Sequence, residues 1–359
     1  MTPVVGLTKA SCVPATLVAT EMINNVIGYT WNPKNRLLSS GGSSGGKGVL
    51  IAMRASPAGF GTDIGGSVRI PAGFNNLFGL RSSSGRIPYQ GAANSIDGQN
   101  TILSVIGPLA PTARSLSMLC RAVLDQEPWY HDPLVLELPW REAIVDETRA
   151  LIEQARAGLS SLAFAIMHYN GVARVHPLVA RGLKLVEQTL KRLGHLVIAW
   201  DPPSHVTAHK LAVSKTFNMD GGADLRHHLG LSGEPQAPQV IINTAGPQLP
   251  ASEIAALNVA KREYQKRYMG YWNSTATLTG TGCPVNGVFC PLVPHVAVIP
   301  GQYDFVVAAD QHVEWDYNAD TYDGAPVGVQ LLGRLQEEKM LTLADYLGEE
   351  IAREARRAC

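Results

Sequence analysis

Helical periodicity becomes clear only after residue 111, where apolar residues begin to recur every three or four positions. Thr112 is a good N-cap, and the stripe that follows it predicts a helix with one buried face. This stripe comprises Leu116, Leu119, Cys120 and Val123. A second helix is predicted to begin at Pro177 and to end at Gly194, since proline favours the first turn of a helix and glycine its end. Its apolar stripe comprises Val179, Leu183, Val186, Leu190 and Leu193.

Two short apolar runs, at 162–167 and 196–200, flank the second helix and predict buried strands. Strand, helix and strand in that order form a βαβ unit with parallel pairing, so the chain is predicted to belong to the α/β class. Further predicted elements are a polar helix at 252–268, strands at 288–292 and 327–332, and a closing helix at 340–351. The prolines between 128 and 140 predict a surface crossing, and the first 110 residues, rich in Gly, Ser and Asn, show few helical stripes.

The charge balance narrows the range of functions. The chain has 359 residues with 30 Lys+Arg and 30 Asp+Glu, and this net charge of zero argues against a nucleic-acid-binding protein. No apolar run reaches the roughly 18 residues of a membrane span, and residues 1–7 lack the features of a signal peptide. The five scattered cysteines include no CxxC pair and indicate reduced thiols. We therefore expect a cytoplasmic protein that contacts neither membranes nor nucleic acid.

A glycine- and serine-rich segment at 39–48 is the first candidate for chemistry. Its sequence, SSGGSSGGKG, admits two interpretations. A phosphate-binding loop of the form GxxxxGK[ST] matches at Gly41, Gly46 and Lys47. However, Gly48 replaces the hydroxyl residue that such loops use for Mg²⁺, and no predicted strand precedes the segment, so this interpretation is disfavoured.

The second interpretation depends on a further motif at 61–72, with the sequence GTDIGGSVRIPA. Four successive N–H groups in this motif can turn toward one point, since glycine adopts backbone angles that other residues avoid. These groups belong to Ile64, Gly65, Gly66 and Ser67. Such a run of amides can stabilise an oxyanion, and the hydroxyl of Ser67 at its end is then placed to act as a nucleophile.

The two motifs together resemble the signature of the amidase signature family of serine hydrolases, in which the two serines are separated by the 24 positions that separate Ser43 and Ser67. The wider pattern is similar to the fungal acetamidase or general amidase branch and includes 97–108, 125–140, 232–235, 271–273 and 323–332. This resemblance implies an α/β/α sandwich with a mixed central sheet and helices on both faces, formed by one domain over 1–359. It also implies hydrolysis of a small-molecule carboxylic amide to an acid and ammonia or an amine, without a metal or cofactor.

The resemblance further implies a role for each motif residue. Ser67 is the nucleophile that forms the acyl-enzyme. Ser43 follows a cis peptide bond and relays protons to Ser67, and Ser44 supports the hydrogen bonds of Ser43. Asp63 and Arg69 hold the loop geometry. The residues that contact substrate are Leu17, Ser43, Ile64, Gly65, Gly66 and Ser67.

Two stretches depart from the family pattern. The family's general base is a lysine that lies farther before GGSSGG than the 42 residues that precede Ser43, and residues 304–322 are short and polar where the family has a core strand and helix. The resemblance thus implies that N-terminal and C-terminal core segments are lacking. Lys9 and Lys47 are the nearby lysines, and we expect Lys47 to lie at the surface.

Two classes of function therefore remain open. The chain is either an amidase that acts through acyl-Ser67, impaired because serine without a base is a weak nucleophile, or a catalytically inactive remnant that binds carbonyl compounds or pairs with a homologue. Homodimerisation is also open. The segment Asp220-Gly221-Gly222 either edges the substrate pocket or forms a plain turn, and His227-His228 lacks a ligand partner at metal spacing.

Overall fold

The computed structural model describes most of the chain. The described residues are 22–24, 28–94, 96–211, 215–217, 219–233, 246–294, 297, 318–334 and 337–358. Lys9, Leu17 and most of the departing stretch at 304–322 lie outside them. Within the described ranges, no helix combines the length and the apolar character that a membrane crossing requires.

Helices and short strands alternate along the chain. The strands are β1 (Ile23–Asn24), β2 (Gly28–Tyr29), β3 (Gly59–Asp63), β4 (Phe78–Gly79), β5 (Val105–Ala110), β6 (Ala163–Ile166), β7 (Leu196–Ala199), β8 (Gly287–Pro291) and β9 (Val329–Leu332). The helices are α1 (Gly45–Ala52), α2 (Arg69–Phe74), α3 (Ala113–Leu124), α4 (Glu142–Arg156), α5 (Pro177–Arg192), α6 (His205–Leu211), α7 (Ala223–Ser232), α8 (Ala251–Ser274) and α9 (Glu337–Ala358).

A mixed sheet with the strand order β7-β6-β8-β9 forms one part of the fold. β6 pairs in parallel with β7 and β8, as the βαβ pattern predicts, and β9 is antiparallel to β8. Successive residues of β6 point to opposite faces of the sheet. Phe164 packs against α4, α5 and α9, whereas Ala165 belongs to the cluster that contains Trp272 of α8. Because helices cover both faces, the prediction of an α/β/α sandwich with a mixed sheet is confirmed.

An antiparallel sheet with the order β3-β5-β4 carries the two candidate motifs. Gly61 of β3 pairs with Gly107 of β5, and a side chain at Gly107 would collide with the carbonyl oxygen of Leu80. Ile51 of α1 packs in one core with Leu109 of β5. The glycines let the neighbouring backbone approach closely. They are also the reason that the sequence pattern did not predict these strands, since glycine is rare in strand interiors.

The predicted helices are present, with shifted ends. α3 begins directly after Thr112, whose hydroxyl accepts a hydrogen bond from the N–H of Ser115 at 3.1 Å. α8 continues beyond the predicted end at 268 because Trp272 packs against Trp200, with 5.0 Å between the ring centroids. α9 begins at Glu337 rather than at 340.

The additional first turn of α9 contains a buried acid. Glu338 is 0% exposed and accepts hydrogen bonds from Arg86 at 2.8 Å and from Arg141 at 2.5 Å. Burial alone would raise the pKa of Glu338, but the two guanidinium groups outweigh this effect and hold the pKa below its ordinary value. The carboxylate therefore ties α9 to two distant parts of the chain.

We expect Glu338→Gln to lower the free energy of unfolding by about 1–3 kcal/mol, because Arg86 and Arg141 both lose a buried charged acceptor while Glu337 remains 3.5 Å from Nε of Arg86. Urea unfolding of wild type and variant at neutral pH measures the difference. Glu153→Gln removes an exposed ion pair with Arg156 and is expected to change stability little. Equal stability of Glu338→Gln and Glu153→Gln would show that the buried pair contributes nothing.

Candidate active site

The two glycine-rich motifs lie side by side. The first continues into the first turn of α1, and the second links β3 to α2. The N–H of Ser44 donates a hydrogen bond to the carbonyl oxygen of Ser67 at 3.0 Å, so the two loops are joined next to both candidate serines. The Gly42–Ser43 peptide bond is cis, as the resemblance implies.

Both candidate serines are buried, with Ser43 4% and Ser67 5% exposed. Among the described residues, no hydrogen bond joins their hydroxyl groups, so the relay between them stays a prediction. Ser44 contributes through its backbone, and its own buried hydroxyl has no hydrogen-bond partner in the described part of the chain. Ser67 lies in the turn that precedes Arg69, the first residue of α2.

Helix α1 packs directly onto β3 because two glycines leave space for it. A side chain at Gly61 would collide with the hydroxyl of Ser44, and a Cβ at Gly59 would lie 2.6 Å from Cδ of Lys47. The stem of Lys47 thus lies across β3, and burial lowers the pKa of its amine. Lys47 is half-buried, so part of its side chain remains at the surface, where it was expected.

Asp63 organises the turn that carries Ser67. It is 0% exposed, and its carboxylate accepts hydrogen bonds from the N–H of Gly66 at 2.7 Å and from the N–H of Val68 at 3.3 Å. Nε of Arg69 lies 3.0 Å from the same carboxylate. Burial alone would raise the pKa of Asp63, but Arg69, the Gly66 amide and Arg81 together hold it below its ordinary value.

One of the four predicted oxyanion-hole amides already donates a hydrogen bond to Asp63. Gly66 has a φ of 121°, a backbone conformation that favours glycine, and its N–H donates to Asp63. The carboxylate accepts no such bond from the N–H groups of Ile64, Gly65 or Ser67. Of the four predicted oxyanion donors, Gly66 thus already has an intramolecular partner.

Arg69 links this turn to the mixed sheet. Its Nη1 donates to Oε1 of Gln330 in β9 at 2.7 Å, and Nε2 of Gln330 donates to the carbonyl oxygen of Pro291 in β8 at 3.0 Å. The position of Ser67 is therefore coupled to the ends of two strands that lie more than 200 positions later in the sequence. This contact was not predicted from the sequence.

Phe217 is a second residue that the sequence did not indicate. A Cβ built on Gly65 would lie 3.6 Å from Cζ of the Phe217 ring, so this ring lies beside the turn that carries Ser67. The nearby Asp220 accepts hydrogen bonds from the N–H groups of Gly222 and Asp224. These contacts agree with the plain-turn interpretation of the Asp220 segment, which leads into α7.

If the chain hydrolyses amides, as the resemblance implies, Phe217→Ala is expected to enlarge the space beside Gly65 and to change which amides it accepts. The ratio of kcat/KM for a six-carbon acyl amide to that for acetamide should rise about 10- to 200-fold, the range that small differences in apolar pocket volume produce. Phe217→Leu should give an intermediate ratio. An unchanged ratio in both variants would place Phe217 outside the acyl-binding region.

The sequence is similar to those of known amidases. The sequence profile described as Amidase matches residues 5–342. The chain belongs to the amidase family. It is 39% identical to the acetamidase of Aspergillus oryzae (strain ATCC 42149 / RIB 40) over an alignment of 383 positions, gaps included, that covers 96% of this chain and 69% of that relative. It is 34% identical to an acetamidase of Emericella nidulans, with 94% and 67% of the two chains covered.

Solved structures of amidase-family proteins share its fold. A fatty acid amide hydrolase superposes with a TM-score of 0.78 at 27% sequence identity, covering 94% of this chain and 64% of the other. A 6-aminohexanoate cyclic dimer hydrolase superposes with a TM-score of 0.66, and at 21% identity this likeness concerns the fold alone. This amidase-family chain thus spans about two thirds of the length of these relatives.

Proposed function

We propose that this chain hydrolyses carboxylic amides through an acyl intermediate on Ser67. The observation that carries the proposal is the junction of the two loops, where the N–H of Ser44 donates to the carbonyl oxygen of Ser67 and both candidate serines are buried. Membership of the amidase family and the similarity to fungal acetamidases support the same reaction.

In the proposed reaction, Oγ of Ser67 attacks the carbonyl carbon of the amide while its proton passes to Oγ of Ser43, which gives its own proton to an acceptor behind it. The amides of Ile64, Gly65 and Ser67 stabilise the negative charge on the carbonyl oxygen, while the bond from Gly66 to Asp63 keeps the turn in place. The carbon–nitrogen bond then breaks, and the leaving nitrogen takes a proton through Ser43. Water attacks the acyl-enzyme, releases the carboxylic acid and restores the Ser67 hydroxyl.

The proposed reaction also requires a group that accepts the proton of the Ser43 hydroxyl. Among the described residues, no lysine amine is hydrogen-bonded to Ser43, and the stem of Lys47 lies against Gly59. Lys9 belongs to residues 1–21, which the structure does not describe. The activity assay therefore decides between an amidase and a protein that binds carbonyl compounds without hydrolysing them.

Ammonia release from acetamide, propionamide and hexanamide tests the proposal, with hydroxylamine added in a parallel series. An acyl-enzyme transfers its acyl group to hydroxylamine, so a working enzyme gives both ammonia and the corresponding hydroxamate. Binding of the amides by calorimetry without ammonia release would replace the proposal with the carbonyl-binding alternative. Ammonia without hydroxamate would exclude the acyl intermediate.

A further inference from the structure

A cavity of about 1100 Å³ lies at the end of β8 that is remote from the Ser67 turn. Asn286, immediately before β8, lines this cavity, whereas the contact from Arg69 reaches Gln330, which pairs with Cys290 at the other end of the strand. With a rise of about 3.3 Å per residue, the two ends of the strand are roughly 13 Å apart. The cavity is thus distinct from the proposed catalytic site.

One wall of the cavity is aromatic. Tyr264, Tyr268 and Trp272 of α8 line it, together with His205, which stacks on Tyr268 with 5.7 Å between the ring centroids. Burial raises the pKa of Tyr268 to about 12, so its hydroxyl stays protonated and neutral. Such a wall offers flat apolar surfaces to a planar ring.

Two cationic side chains also line the cavity. Lys339 of α9 and Arg334 line it, and the described lining residues include no carboxylate. Arg334 donates to Oδ1 of Asn273 at 3.0 Å, a neutral partner. Lys339 forms no ion pair with any described acid, and burial lowers the pKa of its amine. An anion bound here would supply the missing counter-charge.

We propose that this cavity binds a small aromatic carboxylate, with the ring against Tyr264 and Tyr268 and the carboxylate on Lys339. The size of the cavity, its aromatic wall and the Lys339 amine, which has no ion-pair partner among the described acids, all match this class of ligand. A neutral ligand would leave Lys339 unpaired, and an anion without a ring would leave the aromatic wall unused. The proposal is independent of amide hydrolysis at Ser67.

Titration calorimetry with 1-naphthoate as the probe tests this site, with 1-naphthalenemethanol as a neutral ligand of similar shape. We expect saturable one-site binding of 1-naphthoate and at least tenfold weaker binding of the alcohol, because a charge-assisted hydrogen bond is lost. Lys339→Met should weaken 1-naphthoate at least tenfold, and Lys339→Arg should restore most of the affinity. Lys34→Met removes an exposed lysine outside the cavity and should leave the affinity unchanged.

Thermal unfolding of each variant without ligand shows whether the fold is retained. Equal affinity of wild type and Lys339→Met would overturn the proposal, since binding at the Ser67 site or at any other surface is insensitive to Lys339. Equal affinity for the acid and the alcohol, or no saturable binding of 1-naphthoate up to millimolar concentration, would overturn it as well.

Discussion

Replacing Ser67 by alanine is expected to lower kcat/KM for amide hydrolysis by about 10³-fold or more, because the reaction loses its nucleophile while the oxyanion donors and the binding site remain. The hydroxyl of Ser67 makes no hydrogen bond to another described residue, so the variant should fold like the wild type. Ammonia release, measured with enough protein to detect slow turnover, gives the ratio.

Two further variants test the proton-relay role of Ser43 and provide a control. Ser43→Ala should lower kcat/KM by about 10²- to 10⁴-fold, the usual range for a lost proton-transfer group, with a smaller effect on KM. Ser117→Ala changes a serine on α3 whose hydroxyl donates only within its own helix, and it should leave the activity unchanged. Full activity in Ser67→Ala would assign the nucleophile to another residue.

Asp63→Asn is expected to lower both stability and activity. The substitution removes the buried negative charge that faces Arg69 and Arg81, and breaking such a pair costs about 3–5 kcal/mol. An asparagine side chain also offers a single acceptor oxygen where Asp63 uses two. The Ser67 turn should move, and a shift of about 1 Å can lower the rate by about 100-fold.

The pH dependence of stability provides a separate check on Asp63. Its pKa in the folded protein lies below the value of an unfolded chain, near 3.8. Its contribution is therefore fully present above that unfolded pKa and is lost as the pH falls through the lower folded pKa. Urea unfolding between pH 3 and pH 7 should show the gap between wild type and Asp63→Asn narrowing at the acidic end. Asp146→Asn, at an exposed position, should have nearly the stability of the wild type at every pH. A stability difference between wild type and Asp63→Asn that does not change with pH would contradict the lowered pKa of Asp63.

The elements that the sequence predicted are those with an apolar run or stripe. Strands β6 and β7 and helix α5 follow directly from such patterns, since burial on one or both faces selects the residues. Strands β3 and β5 could not be predicted in this way. Gly61 and Gly107 are required because neighbouring parts of the chain lie close to them, and glycines in a sequence indicate a loop rather than a strand. The first turn of α9 was missed for a related reason, since Glu338 is buried with arginine partners.

The candidate site likewise contains residues that the sequence predicted and residues that it did not. Ser43, Ser67 and the turn between β3 and α2 were predicted because they form two long motifs at a fixed spacing. Phe217 was not, because a single aromatic residue 150 positions after Ser67 carries no periodicity and acquires its position only through tertiary folding. The packing of the Lys47 stem on Gly59 was not predicted either, because it depends on how α1 crosses β3.

The central claim, that Ser67 is a nucleophile activated through Ser43, is tested most directly by intact-protein mass spectrometry during reaction with a fluorophosphonate. Our account predicts one adduct per chain on Ser67, no adduct in Ser67→Ala, and labelling about 10²- to 10⁴-fold slower in Ser43→Ala than in wild type. An adduct on another residue, or equal labelling rates in wild type and Ser43→Ala, would contradict it.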